Sequence, residues 1–184
     1  MNICLGAAWS LLIYRAVVSR LLNYLGIIFM TTLVLGIGNT LLCDEGVGVH
    51  TVRALAQAHA HLTDVEFMDG GTLSFSLAGD VEDASQLIVI DAAELDSPPG
   101  TVRAFVGADM DRFLGVNRKR SVHEVGLLDL MAVAHLAGHL PERRALVGIQ
   151  PDIVDWGEAP TVAVAQAIPH ACDLTLELIA AWRT

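Results

Sequence analysis

Short apolar runs rich in Leu, Ile and Val recur along the chain and alternate with segments of helical periodicity or with loops. Such runs are typical of buried strands. Their alternation with helices predicts an α/β fold, a single three-layer domain in which a twisted, largely parallel β-sheet of about five strands carries helices on both faces. The predicted strands are Thr32 to Ile37, Val65 to Met68, Leu87 to Asp91, Val102 to Val106 and Ala145 to Ile149.

Three segments have the spacing of apolar residues that is typical of helices packed on a sheet. The first begins after Gly46. The second runs from about His123 to Gly138, where Gly138 and Pro141 cannot continue a helix. The third runs from about Thr161 to Trp182, and we expect it to begin anew or to bend near Pro169, because proline lacks the backbone donor of a continuous helix.

Composition narrows the class of protein. Of the 184 residues 53% are hydrophobic and 17% charged, and the formal net charge is -10, which argues against disorder and against nucleic-acid binding. The three cysteines are widely separated and include no C-x-x-C pair, so a reducing cytoplasm fits best. We therefore expect a cytoplasmic monomer whose partners are neutral, cationic or metal-bearing.

Residues 1–29 differ from the rest of the chain, since they are apolar and lack acidic residues. No positive residue precedes their first apolar run, as it would in a secretory signal. Arg15 and Arg20 interrupt what would have to be a membrane span. The run Leu21 to Leu35 is apolar enough for a helix on a membrane surface, which remains an alternative. Because a strand begins directly after Met30, we expect residues 1–29 to be an extension upstream of the native start. Residues 30–184 are then the domain, and we expect this mature domain not to bind a membrane.

Polar residues follow the ends of the first three predicted strands. They are Asn39 to Glu45, "DGGT" at Asp69 to Thr72, and Asp91 to Asp96. In open α/β sheets the ligand site lies at the carboxyl ends of the strands, so these segments predict the site. Nucleotide binding is disfavoured, because the third glycine of a dinucleotide fingerprint is replaced by Leu41 and no G-K-[ST] ending is present.

Each candidate residue also has an ordinary structural interpretation. Asp44 is expected to cap the first helix, which leaves the adjacent Glu45 to point into the cleft. Asp91 ends a buried strand, where a carboxylate either caps the next turn or needs a donor or a cation. Ser121 and Glu124 form a capping box, which leaves His123 on the first turn of its helix without a structural explanation.

Glu45, Asp91 and His123 together offer two oxygen ligands and one nitrogen ligand, a set that suits nickel, zinc or manganese and leaves room for water or substrate. The rival pair, His135 and His139, lacks the glutamate of an H-E-x-x-H motif and is expected at a solvated helix end.

Two further features could have a functional role, and each also has an ordinary structural interpretation. Cys43 has no motif that pairs it with a histidine and is expected to pack as a small apolar residue. The basic run Arg118 to Arg120 is expected to be a solvated loop, with docking of an acidic partner as the alternative.

The motifs "GIGNTLLCDEGVG", "DGGT", "LIVIDAA", "SVHEVGLLDL" and "GIQPDIVDWG", in this order, resemble those of the hydrogenase maturation proteases. These endopeptidases remove a C-terminal peptide from the large-subunit precursor of NiFe hydrogenase. The resemblance covers the chain from Met30 onward. It implies a metal site at Glu45, Asp91 and His123, and a precursor that already carries the nickel and is cut after a basic residue. No organic cofactor is implied.

The same resemblance makes Asp69 a possible catalytic or orienting residue and places Asn39, Gly70, Gly71 and Thr72 at the substrate cleft. The chain departs from the family where residues 73–75 follow "DGGT", since many relatives have a small residue and a glycine there. This difference bears on the shape of the cleft. A non-catalytic nickel-binding chaperone and a related peptidase with a different substrate remain as alternatives.

Overall fold

The computed structural model describes residues 31–72, 75–117 and 122–183, and leaves the side chains of Asn117 and of residues 122–126 undescribed. The predictions for residues 1–29, for the capping box at Ser121 and for the basic run Arg118 to Arg120 therefore lie outside the described residues.

A five-stranded sheet forms the centre of the described domain, with strand order β2-β1-β3-β5-β4. The first four strands in this order are parallel, and β4 is antiparallel to its neighbour β5. The strands are β1 (Thr32–Ile37), β2 (Val65–Gly71), β3 (Gln86–Ala92), β4 (Val102–Val106) and β5 (Arg143–Ile149). The largely parallel sheet predicted from the apolar runs is confirmed.

In the described residues five helices cover the sheet, together with short 3-10 turns at Cys43–Gly46 and Phe75–Leu77. The helices are α1 (Val47–Ala58), α2 (Ala78–Asp83), α3 (Ala108–Asn117), α4 (Val122–Leu136) and α5 (Val162–Trp182). One face of the sheet packs α1 and α5 against strand residues such as Val34 and Ile88. The other face packs α2, α3 and α4 against residues such as Leu35 and Val89. The predicted three-layer arrangement is confirmed.

The last helix differs from its prediction, because α5 continues from Val162 to Trp182 with Pro169 inside it. Pro169 and Ala165 are both exposed, so the Ala165 carbonyl that loses its helical donor faces water. Val164 and Ala171, on either side of the proline, are fully buried and hold the helix to the core. By length and composition α5 could also cross a membrane, but its buried residues pack against β5 and α1 as a core helix does.

Two of the predicted strand ends also need correction. β2 continues through Asp69 to Gly71, and β3 continues past Asp91 to Ala92. Asp69 therefore belongs to β2 and does not follow it, whereas Asp91 lies within β3, as its predicted bounds had it. Gly138 does end α4, since its φ of +76° breaks the helical path after Leu136.

Candidate active site at the carboxyl end of the sheet

The start of α1 is held against the carboxyl ends of two strands. Gly48 lies so close to the carbonyl oxygens of Ile37 and Ile90 that a Cβ at this position would overlap both. Ile37 is the last residue of β1, and Ile90 immediately precedes Asp91 in β3. Glu45, three positions before Gly48, therefore stands at the same edge of the sheet as Asp91.

Both carboxylates at this edge are shielded from water. Asp91 is only 2% exposed. One of its oxygens, Oδ1, and the Oε2 oxygen of Glu45 are buried. Removing a carboxylate from water is costly unless donors or a cation compensate for the lost hydration. Two such groups at one edge make this edge suited to binding a cation or a hydrogen-bond donor.

The backbone of α4 brings His123 to this same edge. Leu127, Leu130 and Ala134 pack α4 along the sheet. The helix ends at Leu136, and only residues 137–142 separate it from the start of β5. Since β5 starts at the amino edge of the sheet, α4 runs opposite to the parallel strands, and its 15 residues span about 22 Å. Its first turn, with His123, therefore lies at the carboxyl edge.

No described group of three or more His, Cys, Asp or Glu side chains forms a metal site. The side chain of His123, which would complete the predicted set, lies outside the described part of the chain. The metal site at Glu45, Asp91 and His123 therefore stays a prediction. The rival His135 and His139 are both exposed at the far end of α4, as expected of a solvated helix end.

An open cleft of about 300 Å³ lies beside this edge, between the loop that follows β1 and the end of β2. Asn39, Gly71 and Thr72 line it, together with Asp69 and Arg53. Gly70 is not part of the described lining. Its lack of a side chain instead lets the Leu35 side chain and the Gly36 carbonyl approach.

Asp69 has its carboxylate occupied by donors within the cleft. Its Oδ2 accepts hydrogen bonds from Arg53 Nε at 3.1 Å and Nη2 at 2.8 Å. Its Oδ1 accepts the Gly71 amide at 3.0 Å. Gly36 of β1 pairs with Asp69 on one side and with Ile90 on the other, so Asp69 is separated from Asp91 by a whole strand. Two strand spacings place the two backbones about 10 Å apart, and Asp91, one residue beyond Ile90, points to the opposite face of the sheet from Asp69.

Asp44 does not cap the first helix, because neither the 3-10 turn at Cys43–Gly46 nor α1 has a side-chain cap. The fully buried carboxylate instead binds the loop of residues 151–161, which connects β5 to α5. Its Oδ2 accepts the amides of Asp152 and Ile153, each at 2.9 Å, and the Thr161 hydroxyl at 3.0 Å. Its Oδ1 accepts the Thr161 amide at 2.6 Å. The predicted helix cap was wrong. Asp44 instead ties its own segment to the loop of residues 151–161, and we call these contacts the Asp44 latch.

The pKa of Asp44 reflects these contacts. Burial by itself raises the pKa, but the three backbone amides and the Thr161 hydroxyl stabilise the charged form more strongly. The pKa of Asp44 therefore lies below its ordinary value of 3.8, and the carboxylate is ionised at neutral pH.

Backbone hydrogen bonds extend the latch. The Cys43 amide donates to the Gly157 carbonyl at 2.7 Å, and the Gly157 amide donates to the Leu41 carbonyl at 2.9 Å. Cys43 has a φ of +45°, and its Sγ fills the space where a side chain at Gly157 would lie. The predicted packing role of Cys43 fits this contact.

Comparison with known proteins identifies the family of this chain. The profile described as HycI, hydrogenase maturation protease, matches residues 49–178. The chain is 38% identical over 151 residues to the hydrogenase expression/formation protein HupD of Rhizobium leguminosarum bv. viciae, covering 82% of this chain and 74% of HupD. It belongs to the hydrogenase maturation protease family.

A solved structure places this maturation protease in the same fold. The hydrogenase maturating endopeptidase HybD from E. coli matches it with a TM-score of 0.75 and 32% identity, covering 82% of this chain and 93% of HybD. HupD of Rhodobacter capsulatus is 40% identical over 151 residues, covering 82% of this chain and 71% of HupD. The resemblance drawn from the motifs is confirmed at the level of family and fold.

Sequence reasoning missed two residues of the maturation protease, Arg53 and His50, both on α1. The Nε2 atom of His50 is buried and has no hydrogen-bond partner among the described residues. Burial lowers the pKa of His50, as does the positive charge of Arg53, and the nearby Asp69 opposes this shift. His50 is therefore uncharged at neutral pH. The helical spacing of His50 and Arg53 was the available signal, but their partner Asp69 is on another element.

Proposed function

We propose that this chain is an endopeptidase that removes the C-terminal peptide of a NiFe hydrogenase large-subunit precursor after nickel insertion. Membership of the family supports this activity. So do the names of relatives such as the hydrogenase 2 maturation protease of E. coli, which is 36% identical over 136 residues. The observation that carries the proposal is the shared edge at which Glu45, Asp91 and the first turn of α4 stand.

In this proposal Glu45, Asp91 and His123 bind the nickel already seated in the precursor. Carboxylate and imidazole ligands suit nickel, and three protein ligands leave positions for the groups of the precursor. The metal is then part of the substrate and serves as the recognition element. Cleavage is licensed only when nickel is present, which prevents processing of an incomplete subunit.

The attacking water has two possible sources of activation. The bound nickel can lower the pKa of a water ligand, or a carboxylate such as Asp69 can act as general base. The contacts of Asp69 favour the first source, because its oxygens already accept hydrogen bonds from Arg53 and Gly71. We assign Asp69 an orienting role, in which it holds Arg53 at the wall of the cleft.

The protein is expected to act in the cytoplasm as a monomer and to need no organic cofactor. Cys43 and Cys172 are both free thiols, which suits a reducing compartment. The net charge of -10 suits a protein partner rather than a nucleic acid.

The test compares nickel-loaded and nickel-free precursor, each incubated with the purified protein and resolved by mass. Only the nickel-loaded precursor should become shorter. His123→Ala and Glu45→Gln should each abolish cleavage, whereas His139→Ala, at an exposed position beyond the end of α4, should leave it unchanged.

Equal cleavage of both precursors would remove nickel from the recognition step. Full activity in the His123→Ala variant would contradict the proposed metal site. A precursor that keeps its length but holds its nickel more tightly would identify the non-catalytic chaperone instead.

A further inference from the structure

Four large apolar side chains are exposed on the two segments that Asp44 and its neighbours tie together. Leu41 is 49% exposed, Ile153 49%, Val154 55% and Trp156 79%. We call these four residues the apolar rim. Exposed apolar groups that cluster on one part of a surface mark interaction sites, whereas single ones are common and need no explanation.

The backbone beneath the apolar rim is fixed by hydrogen bonds at both ends. Gly157 bonds to Leu41 and Cys43, and Ile153 bonds to Asp44 through both its amide and its carbonyl. The exposure of the rim therefore does not come from a loosely attached loop. Trp156 and Val154 thus face water on a loop whose backbone is already fixed. Such preorganisation lowers the entropy cost of binding a partner.

The apolar rim continues directly into the cleft. Asn39 and Thr40 line the cleft, and Leu41 of the rim is the next residue. The Asn39 side chain accepts the Leu41 amide at 3.0 Å and so fixes the turn between them. Glu45 belongs to the same segment, and its amide donates to the Leu42 carbonyl at 3.0 Å. A polypeptide lying in the cleft would therefore meet the rim at once.

The charged side chains of the loop that carries most of the rim, residues 151–161, are all negative. Asp152, Asp155 and Glu158 are exposed and alternate with the apolar residues of the loop. The described residues of this loop, 151–161, include no Lys or Arg. The complementary surface on a partner is therefore apolar with basic side chains at its margin.

We propose that the apolar rim is the surface on which the hydrogenase large-subunit precursor docks, through an apolar patch edged by basic side chains. This inference rests on the proposed function. Trp156 is the central anchor, since tryptophan is enriched among the residues that dominate binding energy at protein interfaces. Docking at the rim places the C-terminal segment of the precursor in the adjacent cleft.

The experiment measures the Kd of the nickel-loaded precursor, immobilised on a sensor, for the wild-type protein and four variants. Trp156→Ala and Val154→Ser remove parts of the rim. Leu136→Ala and Leu136→Ser are matched controls, because this side chain is 86% exposed at the end of α4, at the opposite edge of the sheet. All four variants should keep the thermal midpoint of the wild type, since each side chain is exposed.

Trp156→Ala should raise the Kd about tenfold or more, and Val154→Ser should raise it severalfold, with both controls within about twofold of the wild type. In the cleavage reaction Trp156→Ala should raise KM and leave kcat unchanged at saturating precursor. The double variant Asp152→Asn, Glu158→Gln should weaken the dependence of Kd on salt.

Binding that is unchanged in Trp156→Ala and Val154→Ser, or a wild-type protein that does not bind the precursor, overturns the docking surface. If the wild type shortens the precursor while the rim variants match it in KM, the proposed function stands and the docking surface fails. If the wild type binds through the rim without shortening the precursor, the docking surface stands and the endopeptidase proposal fails.

Discussion

At the residue scale, Asp44 is the side chain whose role is least apparent from its neighbours. It stands between Cys43 and Glu45 in a 3-10 turn, but its four hydrogen bonds go to residues 108 to 117 positions away. Those bonds hold the loop of residues 151–161 against the segment that carries Glu45. The position of Glu45 therefore depends on the carboxylate beside it.

We expect Asp44→Asn to lower the free energy of unfolding by about 3 kcal/mol at neutral pH, because buried amides lose a charged acceptor. The folded-state pKa lies below 3.8, so the stabilisation by Asp44 is fully present above that value and is lost as the pH falls through the folded pKa. Urea unfolding of both proteins at a series of pH values measures the difference, which should stay constant near neutrality and shrink in acid.

Asp173→Asn is the control for this experiment, since Asp173 is an exposed carboxylate on α5. It should change stability by less than about 0.5 kcal/mol. A stability difference for Asp44→Asn that persists unchanged into strong acid would show that its charge does not provide the stabilisation.

At the element scale, the contact between α1 and the sheet determines where the candidate active-site edge lies. Gly48 lets the first turn of α1 touch the carbonyls that end β1 and precede Asp91. Backbone atoms form both sides of this contact, so neither side can yield by changing a rotamer. Two contacts position the 3-10 turn that carries Glu45. One is this packing of α1 on the strand ends, and the other is the Asp44 latch, the set of hydrogen bonds between Asp44 and the loop of residues 151–161.

Gly48→Ala should destabilise the protein by about 3 kcal/mol, the upper part of the usual range for overpacking. Gly115→Ala is the matched control, because Gly115 lies in α3 with open space around its Cα, and alanine should stabilise that helix by about 0.5 kcal/mol or more. Guanidinium unfolding midpoints measure both changes. Equal midpoints for the two variants would show that α1 can move away from the strand ends without cost.

At the scale of the whole molecule, the sheet is buried between two helical layers. In the described residues, both core clusters draw side chains from β1, β3 and β5. The described parts of the candidate active-site edge are loops and element ends of this domain. That residues 30–184 form the working domain stays a prediction, because residues 1–30 lie outside the described part of the chain.

We expect a chain that begins at Met30, where the sequence predicts the domain to start, to fold with an unchanged free energy of unfolding and to process the nickel-loaded precursor at the same rate. Thermal unfolding and the cleavage assay, run on the full chain and the shortened chain side by side, measure both quantities. A lower midpoint for the shortened chain would show that residues 1–29 contribute to the fold.

The local features of this protein follow from its amino-acid sequence alone. The apolar runs predicted β1 and β4 with their observed bounds, and Gly138 and Pro141 predicted the end of α4. These features depend on neighbouring residues, whose periodicity and backbone preferences are visible in the sequence. The family could also be read from the motifs, because their order along the chain is itself sequence information.

Tertiary structure alone decided the partners of the buried polar groups. Asp44 could bind a helix start or a distant loop, and only the folded chain brings residues 151–161 to it. Asp69 could be a free base, until Arg53 of α1 meets it across the cleft. Pro169 breaks a helix in isolation, yet the core on both sides of it keeps α5 continuous. In each case the deciding contact joins segments that are remote in sequence, and its free energy outweighs the local preference.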